Sequence, residues 1–292
     1  MLVIHGGGWM GGYKTDFYEE CISKSNLGYI IANMEYNALK LSGGENQTVF
    51  RMLDEITAVQ EDIKRYLKLE GYDVSKLEMC IGGGSAGAHL ALLYAYWLKK
   101  SPITIKFVYN QLGPVSLEFD YWWFLKNRNH PLNDIEPNTI ESAKINGSII
   151  DNREAFYNNT ILTLMMNLFI GRKALDNFDK MLIKDSYDIN TESAEFKNLL
   201  SIAKIAFPIY HVDNKTLPTL CAYGGKDFDI GVNHYAPLKK KFEESNNNNI
   251  SIVYSKNSEH SRFETITEEG KNAKKLLDLR FLEFTAKYFS TD

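Results

Sequence analysis

Five residues, Gly83-Gly84-Ser85-Ala86-Gly87, fit the pattern G-x-S-x-G. They follow the apolar run Leu77–Ile81 and precede a segment of helical period. That is the setting a nucleophilic serine on a strand-to-helix turn requires. Such a turn strains the backbone and crowds its neighbours, so the flanking positions want glycine. It lifts the hydroxyl above the sheet, and the N-terminus of the next helix favours negative charge developing there. A second cluster, His5-Gly6-Gly7-Gly8-Trp9, closes the first apolar run, Leu2–His5. Three glycines can turn their backbone N–H groups toward one point, an oxyanion hole for a tetrahedral intermediate. The competing chemistry is a phosphate cradle. It calls above all for G-x-x-x-x-G-K-[ST], which is absent. His5 reads as structural, hydrogen-bonded within its own loop.

Elements able to hold these residues alternate along the chain. Apolar runs at Leu2–His5, Tyr29–Tyr36, Leu77–Ile81, Ile103–Tyr109, Pro218–Tyr223 and Ile250–Tyr254 read as strands. Phe50, Leu53, Ile56, Val59, Ile63, Tyr66 and Leu67 form one helix face closed by Gly71. Ser85–Lys100, Tyr235–Ser245 and Thr265–Phe289 are further helices, and Asn246–Asn249 is a solvated turn. This is the pattern of a parallel sheet with crossover helices. Alternation breaks between about Leu117 and Leu200, a stretch holding Tyr121-Trp122-Trp123. Residues 117–200 read either as a helical insertion that only packs, or as a lid over a pocket. Trp9, Trp122 and Trp123 either line an apolar acyl pocket or pack that insertion on the sheet.

Composition narrows the class. The 292 residues carry a net charge of −4, with 44% hydrophobic, 13% aromatic and 24% charged residues. These values exclude a disordered, collagenous or disulfide-scaffold chain. The slight negative excess supplies no phosphate-neutralising surface, so no nucleic-acid partner is expected. No apolar run reaches the roughly 20 residues of a membrane span. Cys21, Cys80 and Cys221 are odd in number and lack metal-ligand spacing. They read as reduced core thiols, and neither a metal nor a cofactor is implied.

Taken with "NMEYN" at the second strand, "GGSAGAHLALL" at the serine and "FPIYHVDNKTLPTLCAYGGKD" leading into and just past the run Pro218–Tyr223, the two motifs carry a resemblance. The chain resembles the alpha/beta-hydrolase fold, and within it the hormone-sensitive-lipase-like and acetyl-esterase-like carboxylesterases. The family often has Asp before the serine. Gly84 stands there in this chain and leans toward the acetylxylan-esterase-like and kynurenine-formamidase-like branch. The resemblance implies one domain over 1–292, a mostly parallel sheet with helices on both faces, and residues 117–200 as a lid. It also implies the chain order serine, acid, histidine. Asp227, after Pro218–Tyr223, takes the family's acid position ahead of Asp229, and His260 follows the last strand. His89, His130, His211 and His234 read as surface or packing histidines. The implied reaction is acyl transfer. Ser85 attacks, His260 moves the proton, and the N–H groups of Gly7, Gly8 and Ala86 hold the oxyanion.

In that fold two strands normally precede the glycine-loop strand. They are expected to be missing here, which leaves Tyr29–Tyr36 on an edge with a single charge. Either the start codon is misplaced or the gene truncated, or a second subunit pairs with that edge as a homodimer. A cytoplasmic location is expected on condition that Met1 is the true start. The leading function is a serine hydrolase of small carboxylic esters. The alternatives are an arylformamidase-type amidase, a peptidase, or a noncatalytic or truncated relative on the same fold.

Overall fold

The computed structural model describes residues 1–39, 47–98, 100–116, 190, 192–227, 230, 232–260 and 267–289, and the strand pair at 144–145 and 148–149. Six parallel strands form the sheet: β1 (Leu2–Ile4), β2 (Ala32–Met34), β3 (Glu78–Gly84), β4 (Thr104–Gln111), β7 (Thr219–Gly224) and β8 (Ile250–Ser255). Their spatial order is β2-β1-β3-β4-β7-β8. The short strands β5 (Lys144–Ile145) and β6 (Ser148–Ile149) pair antiparallel apart from this sheet.

Alternate residues of each strand serve opposite faces, which explains why the strands read as continuous apolar runs. Met79, Ile81, Val108, Cys221 and Tyr223 face helices α2 (Val49–Leu69) and α3 (Ala86–Leu93). Cys80, Phe107, Tyr109, Leu220 and Ala222 face the last helix, α6 (Glu268–Tyr288), through Ala273, Leu277 and Phe281. Helices α4 (Ala194–Ala206) and α5 (Val232–Glu244) join the first face through Phe196, Leu199, Leu238 and Phe242. Helix α1 (Tyr18–Ser25) lies on the α6 side, tied by Lys24 Nζ donating to Asp278 at 2.9 Å. The sheet is therefore covered on both faces, the expected α/β architecture.

Three elements differ from the sequence expectation. The run Tyr29–Tyr36 contributes only Ala32–Met34, because β1 offers just three residues to pair with it. Tyr29 instead packs edge-on against Phe281 and donates its hydroxyl to Thr285. The helix after the serine is regular only to Leu93, and a π-turn over Tyr94–Leu98 replaces its end. That wider turn lets both Tyr94 and Tyr96 be buried, with hydroxyls on Thr57 (3.0 Å) and Thr219 (2.7 Å). The asparagine run is not fully solvated. Asn247 is buried and its amide donates to the carbonyls of Asp213 and Thr216. Trp122, Trp123 and most of the 117–200 stretch lie outside the described residues, as does Asp229.

Candidate active site

Ser85 sits at the junction of β3 and α3 with φ 51° and ψ −122°. A non-glycine residue held there costs about 1–3 kcal/mol, so its surroundings must impose it. The backbone shows how. Ser85 N–H donates to the Gln111 carbonyl at 2.9 Å, and the Ser85 carbonyl accepts from His89 N–H at 3.0 Å. On both sides of the serine the chain passes so near β1 that a Cβ on Gly83 or Gly87 would overlap the Ile4 carbonyl oxygen. Only glycine permits that approach.

Two loops on the other side of the sheet centre bring partners to the hydroxyl. His260 Nε2 lies 2.9 Å from Ser85 Oγ, and His260 Nδ1 lies 2.9 Å from Asp227 Oδ2. Asp227 is the carboxylate member of this chain, and its side chain is fully buried while that of His260 is 23% exposed. Its second oxygen accepts from Ile230 N–H at 2.7 Å. With Nδ1–H given to the carboxylate, Nε2 is left as the acceptor for the serine proton. The loops after β7 and β8 are sewn together, which fixes the acid relative to the histidine. Gly225 N–H donates to Ser255 O at 2.8 Å, Lys226 N–H donates to Ser258 O at 3.0 Å, and Ser258 Oγ donates to Ser255 Oγ at 2.6 Å.

The glycine loop closes over the same point. A Cβ on Gly6 would stand 3.2 Å from Ser85 Cβ, so the loop rests directly against the nucleophile. Gly7 has φ 101°, a conformation that keeps the loop to glycine. Among the described residues no hydrogen-bond partner takes the N–H of Gly7, Gly8 or Ala86. The loop is braced from outside by His5, whose ring stacks on Tyr36 at 4.2 Å and whose Nδ1 meets the Gly6 carbonyl at 2.8 Å. Tyr36 hydroxyl donates to the same carbonyl at 3.2 Å. Trp9 is only 4% exposed and lies in the core, edge-on to His89 at 5.2 Å, leaving its ring little surface to offer a ligand.

The remaining described histidines do not join Ser85. His89 and His234 are buried, on the Ala206 carbonyl and the Val115 N–H respectively, and His211 meets the Ile205 carbonyl. Burial lowers the His89 pKa to about 4, against 6.5 for a free imidazole, and neighbouring His234 adds to the lowering. Between pH 6.5 and 4 the unfolded chain therefore binds a proton that the native state lacks. The contribution of His89 to stability falls as pH falls through that window, by on the order of 3 kcal/mol. Urea melts of the parent between pH 7 and pH 4.5 are expected to show this loss. His89→Gln, which retains an amide donor for Ala206, is expected to flatten the slope.

Sequence reasoning missed the polar clamp beneath the site. Asn110 is fully buried, donates to Tyr223 Oη at 2.8 Å and accepts from Gly113 N–H at 2.9 Å, while Tyr223 Oη donates to Gly113 O at 2.8 Å. Its only sequence signal is the pair of amides, Asn110 and Gln111, closing an apolar run. Among the described residues no group of three His, Cys, Asp or Glu side chains is placed to hold a metal ion. No helix among them is long and apolar enough to cross a membrane.

A parallel sheet that carries a strained serine between strand and helix, with the acid after one strand and the histidine after the next, has the alpha/beta-hydrolase fold. The chain belongs to the BD-FAE family, of alpha/beta-hydrolase type, whose model matches residues 1–242. By family it is a hydrolase of the carboxylesterase kind. It is similar to the butyrate-bound thermophilic esterase Est2 from the planctomycete Thermogutta terrifontis, with TM-score 0.59 and 14% identity over 100% of this chain and 84% of that one. It is also similar to an inhibited esterase B from Lactobacillus rhamnosis, with TM-score 0.60 and 15% identity over 98% and 77%. A truncated carbohydrate esterase from gut microbiota gives TM-score 0.56 and 12% identity over 98% and 85%. At such identities the likeness establishes the fold. No curated protein sequence matches the chain significantly.

Proposed function

We propose that the chain is a serine hydrolase of small carboxylic esters, carrying short acyl or acetyl groups, and that it works through an acyl-enzyme. The observation that carries this reading is the unbroken relay from Ser85 Oγ through the His260 imidazole to buried Asp227, with both contacts at 2.9 Å. Ser85 Oγ attacks the ester carbonyl while its proton passes to His260 Nε2. The carbonyl oxygen gains the negative charge, and the N–H groups of Gly7, Gly8 and Ala86 stabilise it. Collapse expels the alcohol, which takes the proton from His260. Water then attacks the acyl-serine, gives its proton to His260, and the acid leaves as Ser85 is restored. Asp227 holds the imidazole in the required tautomer and offsets the imidazolium charge.

Support for short acyl groups comes from one structural neighbour, the Thermogutta terrifontis esterase, solved with butyrate and with propionate bound. All three cysteines are free and buried, which suits a reducing compartment, and a cytoplasmic location is part of the proposal. Turnover of p-nitrophenyl acetate, butyrate and octanoate tests the reading, with kcat/KM expected to be highest for the shorter two. Absence of turnover on any ester by folded protein would overturn it. Faster cleavage of matched p-nitroanilides or N-formyl arylamines would assign the site to an amidase instead.

A further inference from the structure

The position before the nucleophile is filled from another part of the chain. A Cβ on Gly84 would run into the ring of Phe17, meeting Cζ first and then both Cε atoms at 3.3 Å. The tip of the Phe17 ring therefore stands on the residue beside Ser85. Phe17 as a whole is half-buried.

Its mounting is firm. Phe17 caps the start of α1, and its carbonyl accepts from Cys21 N–H at 2.9 Å. One turn on, Glu20 accepts from Tyr109 Oη at 3.2 Å and from Gln111 Nε2 at 3.1 Å. Lys24, only 2% exposed, bonds Asp278 at 2.9 Å and lies 4.3 Å from the centre of the Phe281 ring. Gln111 thus holds α1 with its side chain and the Ser85 N–H with its carbonyl. Ring and nucleophile are referenced to the same residue.

Topology gives the ring a side. Phe17 belongs to the connection between β1 and β2, while His260 follows β8, and in the sheet these strands flank β3 from opposite directions. The leaving alcohol must face His260 to receive its proton. The acyl arm then points away from His260, toward the Phe17 side.

We propose that Phe17 is a specificity-determining residue, the wall that bounds the acyl arm of the ester; this rests on the ester-hydrolase reading above. A fixed aromatic tip beside the nucleophile admits acetyl and other short groups and obstructs longer ones. Removing it opens room that a longer chain can fill, and a methylene or two in an apolar pocket is worth on the order of 10- to 200-fold in discrimination.

The test is kcat/KM for p-nitrophenyl acetate and octanoate with the parent, Phe17→Leu and Phe17→Ala. The octanoate-to-acetate ratio is expected to rise at least about tenfold in Phe17→Ala, with Phe17→Leu in between. The contact has its own check. Gly84→Ala is expected to lose activity, and Gly84→Ala combined with Phe17→Ala to recover part of it. A folded Phe17→Ala protein whose ratio stays within twofold of the parent overturns the inference while leaving the ester-hydrolase reading intact. A ratio that moves only across a series of acetates with different alcohols also overturns it, by placing the ring on the leaving-group side. A parent without turnover on any ester removes both.

Discussion

Ser85→Ala is expected to lower kcat/KM toward small esters by on the order of 10³- to 10⁶-fold, with little change in thermal stability. The alanine removes the only atom that can form the acyl-enzyme, while the backbone that strains the turn stays in place. Ser85 is held at φ 51° by its N–H on Gln111 O and by the approach of Gly83 and Gly87 to Ile4, none of which involves the hydroxyl. The residual rate would come from N–H groups near Gly7 and Ala86 acting on a bound ester attacked by water. Steady-state kinetics beside a melting curve separate the two effects. A variant retaining more than a tenth of parental activity would place the nucleophile elsewhere.

The second large effect is Asp227→Asn, expected to cost about 10⁴-fold in kcat. The substitution keeps size and shape and changes only the arrangement of protons. Asp227 Oδ1 accepts from Ile230 N–H and Oδ2 accepts from His260 Nδ1. An asparagine has one acceptor oxygen for these two donors. If that oxygen stays with Ile230, the amide nitrogen faces His260 and must donate to Nδ1. The imidazole proton then resides on Nε2, which can no longer accept the proton of Ser85. The loss should fall on kcat, because the ester is bound by the pocket and not by the acid. Asp227→Glu is expected to recover little, since an added methylene displaces a carboxylate that two sewn loops position. An Asp227→Asn protein with near-parental kcat would mean that His260 is oriented by something other than this carboxylate.

The sequence made the sheet and the site legible for different reasons. Strands buried on both faces appear as uninterrupted apolar runs, so β4, β7 and β8 were found within one or two residues of their observed ends, while β3 runs three residues further, into the glycines before Ser85. Ser85, Asp227 and His260 each follow such a run; chain order together with family resemblance named them, and the structure brings their side chains into two successive contacts of 2.9 Å. Features that depend on distant packing left no local trace. Nothing near Gly84 announces that Phe17 will cover it, and nothing near Asn247 announces the Asp213 and Thr216 carbonyls that bury it. Tyr29–Tyr36 is apolar throughout, yet the length of its partner decides how much of it becomes strand. The π-turn after Leu93 accompanies two tyrosines that find partners on α2 and β7, contacts made across 37 and 123 residues.

Activation of Ser85 is the central claim, and a fluorophosphonate probe addresses it most directly because the reagent labels a serine only where a base removes its proton and an oxyanion site accepts the phosphoryl oxygen. The native protein should be labelled stoichiometrically, with the adduct mapped by peptide mass to Ser85. Labelling should vanish in Ser85→Ala and slow sharply in Asp227→Asn. A folded parent that stays unlabelled, or an adduct on any other residue, would contradict the account.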